Sequence, residues 1–482
     1  MEESLKNKTL SSLVWQFYQK IFGQLFSFIV TVILARMLRP EDYGVVALAS
    51  MFNVLVGIFI SGSMDAALIQ KKDADELDYN TVFFSSLFMS IIIYGVVYFG
   101  APIFASIYDN DLITPVMRVL ALTMPIGSLA MVQNATISRN LEFKNFFFAT
   151  LIGQIVAAIV GIVMAYRGYG PWALVAQSMI GTITNTIVMF FLVSWHPKLM
   201  FSWERFRRLF DYAWKKCLAN FIGTSCNQLK GYLIGFKYSA SDLAYYNRGE
   251  GLPEMIKNNI AGTMDAVLFP SFSKMQNDRS AMKRGMFRSI TISIYIVVPL
   301  LMGLAAAAEQ IVPLLYSEKW IPAIPFLQIS CFTFIVVLLN NANLQVLYAL
   351  GETETVLKQE FIKKPIMIAI LAVAVFISPR AIVIGTFIHF CHEFFWTAQA
   401  NKYTIDYSFC EQIHDVMPCF LLGLSMAALV YGLGMFISSP IIALSVQVVI
   451  GAAYYIGMSH MANFESYRYL KTIVIEEIRK IQ

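Results

Sequence analysis

Long apolar runs recur along the whole chain. Leu87–Phe99, Ile152–Ala165, Ile290–Ala308, Ile366–Ile377, Met417–Ile437 and Ile441–Met458 are examples. A helix that crosses a bilayer needs roughly 20 mostly apolar residues. With the less pure segments filled in, the pattern predicts fourteen spans, starting near residues 12, 43, 81, 113, 144, 169, 212, 241, 286, 323, 355, 381, 415 and 440. The first, seventh, eighth and eleventh carry polar residues, and the last two are among the cleanest.

Composition points the same way. Of the 482 residues, 57% are hydrophobic and 14% charged, against about 25% charged in an ordinary soluble domain. The N-terminus "MEESLKNKTL" is polar and the first span is too long and polar for a signal-peptide core, so no cleavable leader is expected. The six cysteines fall mainly within or beside spans and form no CxxC. They read as small apolar filler rather than a disulfide framework.

Charge sets an expected orientation. With the N-terminus inside, 25 of the 36 Lys and Arg residues fall in cytoplasmic segments, 6 in outer ones, and 5 inside spans. Cationic loops stay cytoplasmic, so both termini are expected there. In "HPKLMFSWERFRRLFDYAW" (196–214), Trp203, Phe206, Leu209, Phe210 and Ala213 fall at helical spacing with three arginines between them. That reads as an amphipathic helix on the inner leaflet. The tail "YLKTIVIEEIRKIQ" repeats the idea.

An internal repeat organises the chain. "GSMDAAL" at Gly62–Leu68 returns as "GTMDAVL" at Gly262–Leu268, and Asp42 returns as Asp242, both at an offset of 200. One span earlier, the polar stripe Gln16, Lys20, Gln24, Ser27, Thr31 is matched by Asn220, Thr224, Asn227, Gly231. Both stripes follow one helix face. The expected architecture is an all-α integral membrane protein: two parallel six-helix repeats around a central cavity, plus two C-terminal helices. The expected lobes are 1–196 and 212–405. A linker at 197–211, the extra spans at 406–463 and a cytoplasmic tail at 464–482 complete the chain.

The repeat decides how "YYNRGEGLPEMIKNNIAGTMDAVLFP" (245–270) is read. Its mate is an apolar span, so this charged stretch is expected to be span 8 rather than a loop. Glu250, Glu254, Lys257, Ala261 and Asp265 share one helix face, and Pro253 is a candidate kink. A charge near the bilayer centre costs roughly 2.5–3.5 kcal/mol even on lenient insertion scales. The face therefore either lines a polar cavity or forms a buried ion-pair network.

Four stretches carry a family resemblance: "LARMLRPEDYG" (34–44), "YYNRGE" (245–250), "LFPSFSKMQND" (268–278) and "LYALGETE" (347–354). They resemble signatures of bacterial polysaccharide exporters, the colanic-acid/teichuronic-acid type of oligosaccharide flippase in the multidrug/oligosaccharidyl-lipid/polysaccharide (MOP) superfamily. The resemblance implies a two-lobed bundle in the bacterial inner membrane. That bundle would move an undecaprenyl-pyrophosphate-linked oligosaccharide to the outer leaflet by alternating access. Membrane lipid, and a polysaccharide polymerase with export machinery, are the implied partners. No cofactor and no nucleic acid are implied.

The residues suit that cargo. A pyrophosphate is bound by Lys and Arg donors, and the basic residues inside spans are Lys20, Arg118, Lys230, Arg248 and Lys257. Gln24, Asn227 and Asn258 are candidates for sugar hydroxyls, although interhelical hydrogen bonding serves equally well. Asp65 and Asp265, with Glu250 and Glu254, are candidates for gating or ion coupling. His389, His392 and Glu393 on span 12 lack a third and fourth partner for zinc, so polar packing or a proton-linked role is expected there. A cation-coupled multidrug exporter is the competing transporter, disfavoured by five intramembrane cations. A membrane glycosyltransferase, polymerase or ligase is disfavoured by the lack of a sizeable outer loop.

Overall fold

The computed structural model describes residues 2–481 except 62, 63, 65–67, 69, 70, 72 and 141. Every described element is helical. In chain order these are α1 (Glu2–Met37), α2 (Pro40–Ser61), α3 (Glu76–Ile107), α4 (Ile113–Ala121), α5 (Thr123–Leu129), α6 (Met131–Asn140), α7 (Phe143–Tyr166), α8 (Pro171–Leu192) and α9 (Trp203–Lys237). There follow α10 (Ala240–Lys274), α11 (Arg279–Ala306), α12 (Ala308–Tyr316), a 3₁₀ turn (Glu318–Ala323), α13 (Ile324–Ala349), α14 (Thr353–Ala374), α15 (Pro379–Ile405), α16 (Phe409–Phe436), α17 (Pro440–Met461) and α18 (Glu465–Ile481).

Ten of these helices are long and apolar enough to cross a membrane, or eleven when the run α4–α6, bent by 44°, is taken as one span. The seventh, eighth and eleventh expected spans correspond to α9, α10 and α14, which are long but too polar to qualify on hydropathy. Such helices need polar surroundings or partners inside a membrane. The stretch 245–270 lies wholly within α10, which continues unbroken through Pro253 and Pro270. Helix bounds repeat at the offset seen in the sequence: α1 ends at 37 and α9 at 237, while α2 begins at 40 and α10 at 240. Asp42 and Asp242 do matching work, each carboxylate closing the first turn of its helix. Most of the first heptapeptide copy, Asp65 included, lies outside the described residues.

The chain forms two compact units, Met1–Ala244 and Tyr245–Gln482. In the first, α7 packs along α8 and α1 packs on α7. Glycines make the first contact close: a Cβ at Gly153 would stand 3.2 Å from the Gly181 carbonyl oxygen. Small residues at such crossings let membrane helices approach.

The amphipathic segment is not a separate surface helix. It forms the first turns of α9, because no proline or glycine interrupts Trp203–Ile222. Ser202 caps it, and its start is tied to α3. Arg205 Nη1 lies 2.8 Å from Asp75 Oδ1 and 2.9 Å from the fully buried Asp78, while Lys198 pairs with Glu76 at 2.6 Å. The Asp78 carboxylate, then Asp75, raises the already high pKa of the Arg205 guanidinium. Trp203, Phe206 and Phe210 stack in a row beside it.

In the second unit, α13 packs on α11 and α15, α14 on α15, α16 on α11, and α17 on α16. A buried amide network joins α13, α15 and α16. Asn343 and Gln412 exchange hydrogen bonds of 2.9 and 3.0 Å, and Asn401 donates to Asn343 at 2.7 Å. All six cysteines are free thiols.

Candidate functional site

The charged face of α10 is built against α13 and the segment before it. Glu254 and Lys257 are one turn apart, and their Nζ···Oε1 distance is 3.8 Å. The Lys257 ammonium stands 4.8 Å from the centre of the Phe334 ring, with 17% of the side chain exposed. Two turns on, the Asp265 carboxylate accepts a 2.8 Å hydrogen bond from Gln345 of α13. One turn before, Glu250 accepts from the buried hydroxyl of Tyr246. The face is a ladder of charges, each with a named neighbour.

Arg248 differs from Lys257. Its guanidinium lies 5.1 Å from the ring centres of both Tyr316 and Trp320. The two rings are neighbours, their centres 6.4 Å apart, and a cation beside aromatic rings gains electrostatic attraction. Gly249 follows it at a close contact: a Cβ there would stand 2.7 Å from both the Ala323 carbonyl oxygen and Phe326 Cβ. Arg248 therefore clamps α10 to the 3₁₀ turn, whereas Lys257 keeps a partly open ammonium.

The other candidates are scattered. Arg118 lies over the Tyr98 ring at 4.1 Å and donates to the Tyr98 carbonyl at 3.0 Å, which fastens α4 to α3. Lys20 is exposed and Gln24 half-buried on α1; Lys230 is half-buried and Asn227 exposed on α9; Asn258 is exposed on α10.

A second charged group escaped the sequence reading. Lys358, Lys363 and Lys364 belong to the 25 cations counted above as cytoplasmic, yet α14 carries all three, and the Lys363 side chain is fully buried. Its Nζ lies 3.7 Å from Glu360 and 3.9 Å from Glu393, and Glu393 lies 3.7 Å from His389. His392 accepts a 2.8 Å hydrogen bond from Trp396. The signal available was Glu360 and Lys363 one turn apart, opposite a span already carrying His389 and Glu393. Among the described residues, no cluster has the composition of a metal site.

A family model described as polysaccharide biosynthesis protein matches residues 33–325, more than half of the 482-residue chain. The chain belongs to the polysaccharide biosynthesis protein family. It is 23% identical over 331 residues to the succinoglycan biosynthesis transport protein ExoT of Rhizobium meliloti (strain 1021), covering 68% of this chain and 66% of that protein. Its fold is similar to lipid II flippase MurJ in an inward closed conformation, with a TM-score of 0.73 at 15% identity over 95% of this chain and 99% of that one. An inward-facing multidrug resistance transporter of the MATE family in the MOP superfamily follows, with a TM-score of 0.58 at 14% identity over 87% and 98%. The protein thus has the MOP-type membrane fold.

The four family signatures turn out to be joints. In "LARMLRPEDYG", Asp42 closes the turn into α2, and a Cβ at Gly44 would overlap the carbonyl of Ala240. "YYNRGE" supplies the Arg248–Gly249 clamp, with Tyr245 edge-on to Trp320. "LFPSFSKMQND" ends in Asp278, which caps α11. "LYALGETE" holds Gly351 at φ +77, the left-handed residue that stops α13. They mark the family's helix packing, which is why they do not specify the cargo.

Proposed function

We propose that the protein flips an undecaprenyl-pyrophosphate-linked oligosaccharide across the bacterial inner membrane for surface polysaccharide assembly. The observation that carries this reading is Lys257. It is a partly open ammonium on a helix too polar for lipid, within a fold shared with a lipid II flippase. The Lys257 ammonium is a donor that a pyrophosphate would take in competition with Glu254. The name of ExoT, a polysaccharide transport protein, supports the same cargo class.

In this reading the protein is a transporter without a catalytic step, multi-pass, with both termini cytoplasmic. Two repeated halves alternate access about a central cavity. Lys257 takes the pyrophosphate, with Lys20 and Lys230 as further cations and Gln24, Asn227 and Asn258 as hydroxyl partners. Arg248 and Arg118 hold helices in position. Asp265, with Asp65, Glu250 and Glu254, acts in gating.

Surface polysaccharide tests this in cells. Lys257→Ala is expected to lower it at least tenfold at normal membrane abundance. Arg248→Ala is expected to lower abundance together with export. Full export by Lys257→Ala at normal abundance would remove that residue from the mechanism.

A further inference from the structure

The first unit carries an open cleft of about 490 Å³ that none of the candidate residues above lines. This lies within the roughly 300–1,000 Å³ of small-molecule sites. Its walls come from α1, α7 and α8 and from the bend between α5 and α6 at Ala130. A neighbouring cavity of about 410 Å³ shares Gly127 and Asn134 with it.

The lining chemistry is unusual for this chain. Asn134, Thr150, Gln154, Gln177, Thr182 and Asn185 face it, and no Asp, Glu, Lys, Arg or His does. Amides and hydroxyls each donate and accept, as sugar hydroxyls do. Gly127, Gly153 and Gly181 keep stretches of wall free of side chains. An anion would find no cation here, and a polyprenyl tail would bury amides without partners at a desolvation cost.

Packing alone does not account for these amides. Polar residues that only join helices bond across the gap, as Ser90 does with Ser128 and Thr186 with the Ile126 carbonyl in the same unit. By contrast, Asn134 Oδ1, Thr150 Oγ1 and Gln154 Oε1 are shielded from solvent and have no hydrogen-bond partner in the protein. Buried polar atoms are nearly always satisfied, and these three belong to residues that line the cavity, so a rotation of each side chain toward it would offer an acceptor to a sugar hydroxyl.

We propose that this cavity is a saccharide subsite, taking one or two uncharged sugar rings of the translocated oligosaccharide. It rests on the flippase reading and deepens it: Lys257 recognises the pyrophosphate, and this pocket recognises the sugar.

The test measures binding of two probes to the full-length protein in nanodiscs. One is the undecaprenyl-pyrophosphate oligosaccharide extracted from the source strain; the other is undecaprenyl pyrophosphate without sugar. Gln154→Leu removes one unpartnered amide. Ser178→Trp is a second variant, since Ser178 lies exposed at the rim and its replacement leaves the buried packing alone. Both are expected to weaken the sugar-bearing probe about tenfold and leave the sugar-free probe unchanged. Equal binding of both probes by Ser178→Trp and wild type, or equal weakening of both, would overturn the subsite while leaving the flippase reading in place. Failure of the wild-type protein to bind either probe would overturn that reading and the subsite with it.

Discussion

The cavity wall of the first unit and the α10–α13 face of the second are both polar surfaces inside a membrane fold, yet they share almost no chemistry. The first is amides, hydroxyls and glycines, with no charge. The second is Glu250, Glu254, Lys257 and Asp265, backed by Phe334 and Gln345. Behind it, α14 and α15 bury a further lysine between two glutamates. Helix bounds meanwhile recur 200 positions apart at α1/α9 and α2/α10. A neutral surface of donors and acceptors matches hydroxyls; on the charged face Lys257 is the group that attracts an anion, set among three carboxylates. A cargo with a sugar end and a pyrophosphate end has use for both.

The sharpest way to break this contrast is to remove buried charge from the second unit. Lys363→Met leaves Glu393 buried with its cation gone, which costs about 3–5 kcal/mol. Thermal unfolding of the purified protein is expected to fall markedly, and Glu393→Gln in the same chain is expected to restore most of the loss. A single variant as stable as wild type would show that the lysine is not holding the cluster together.

A smaller effect separates the two units by packing. Gly249→Ala drives a methyl into backbone and Phe326 atoms at 2.7–2.8 Å, with an overpacking cost of about 1–3 kcal/mol. Gly153→Ala meets its nearest neighbour at 3.2 Å and is expected to cost less. The same melting experiment ranks the pair, and the reverse order would remove the clamp from the account.

The sequence carried the architecture well, and for physical reasons. Apolar runs of spanning length leave few alternatives, so each expected span corresponds to a described helix or helix run. The identity of the 245–270 stretch followed from its apolar mate 200 residues earlier rather than from its own composition, which hydropathy alone rejects. What stayed hidden depends on distant partners. The aromatic neighbours of Arg248, Tyr316 and Trp320, lie about 70 residues further along the chain, and nothing in the sequence placed them at its guanidinium. Lys363 looked like a loop charge because its partners Glu393 and His389 lie on another helix. The amides of the first unit drew no notice, since Asn134, Gln154 and Asn185 are far apart in sequence and only the bend at Ala130 and the Gly153–Gly181 crossing bring them around one space.

Lys257 bears most directly on the central claim. The decisive measurement is translocation of a fluorescent undecaprenyl-pyrophosphate oligosaccharide in vesicles reconstituted with wild type, Lys257→Ala or Lys257→Arg at matched protein density. Wild type should expose the label to an external quencher, Lys257→Ala should be at least tenfold slower, and Lys257→Arg should retain much of the rate because the positive charge is kept. Equal rates for wild type and Lys257→Ala would contradict the account.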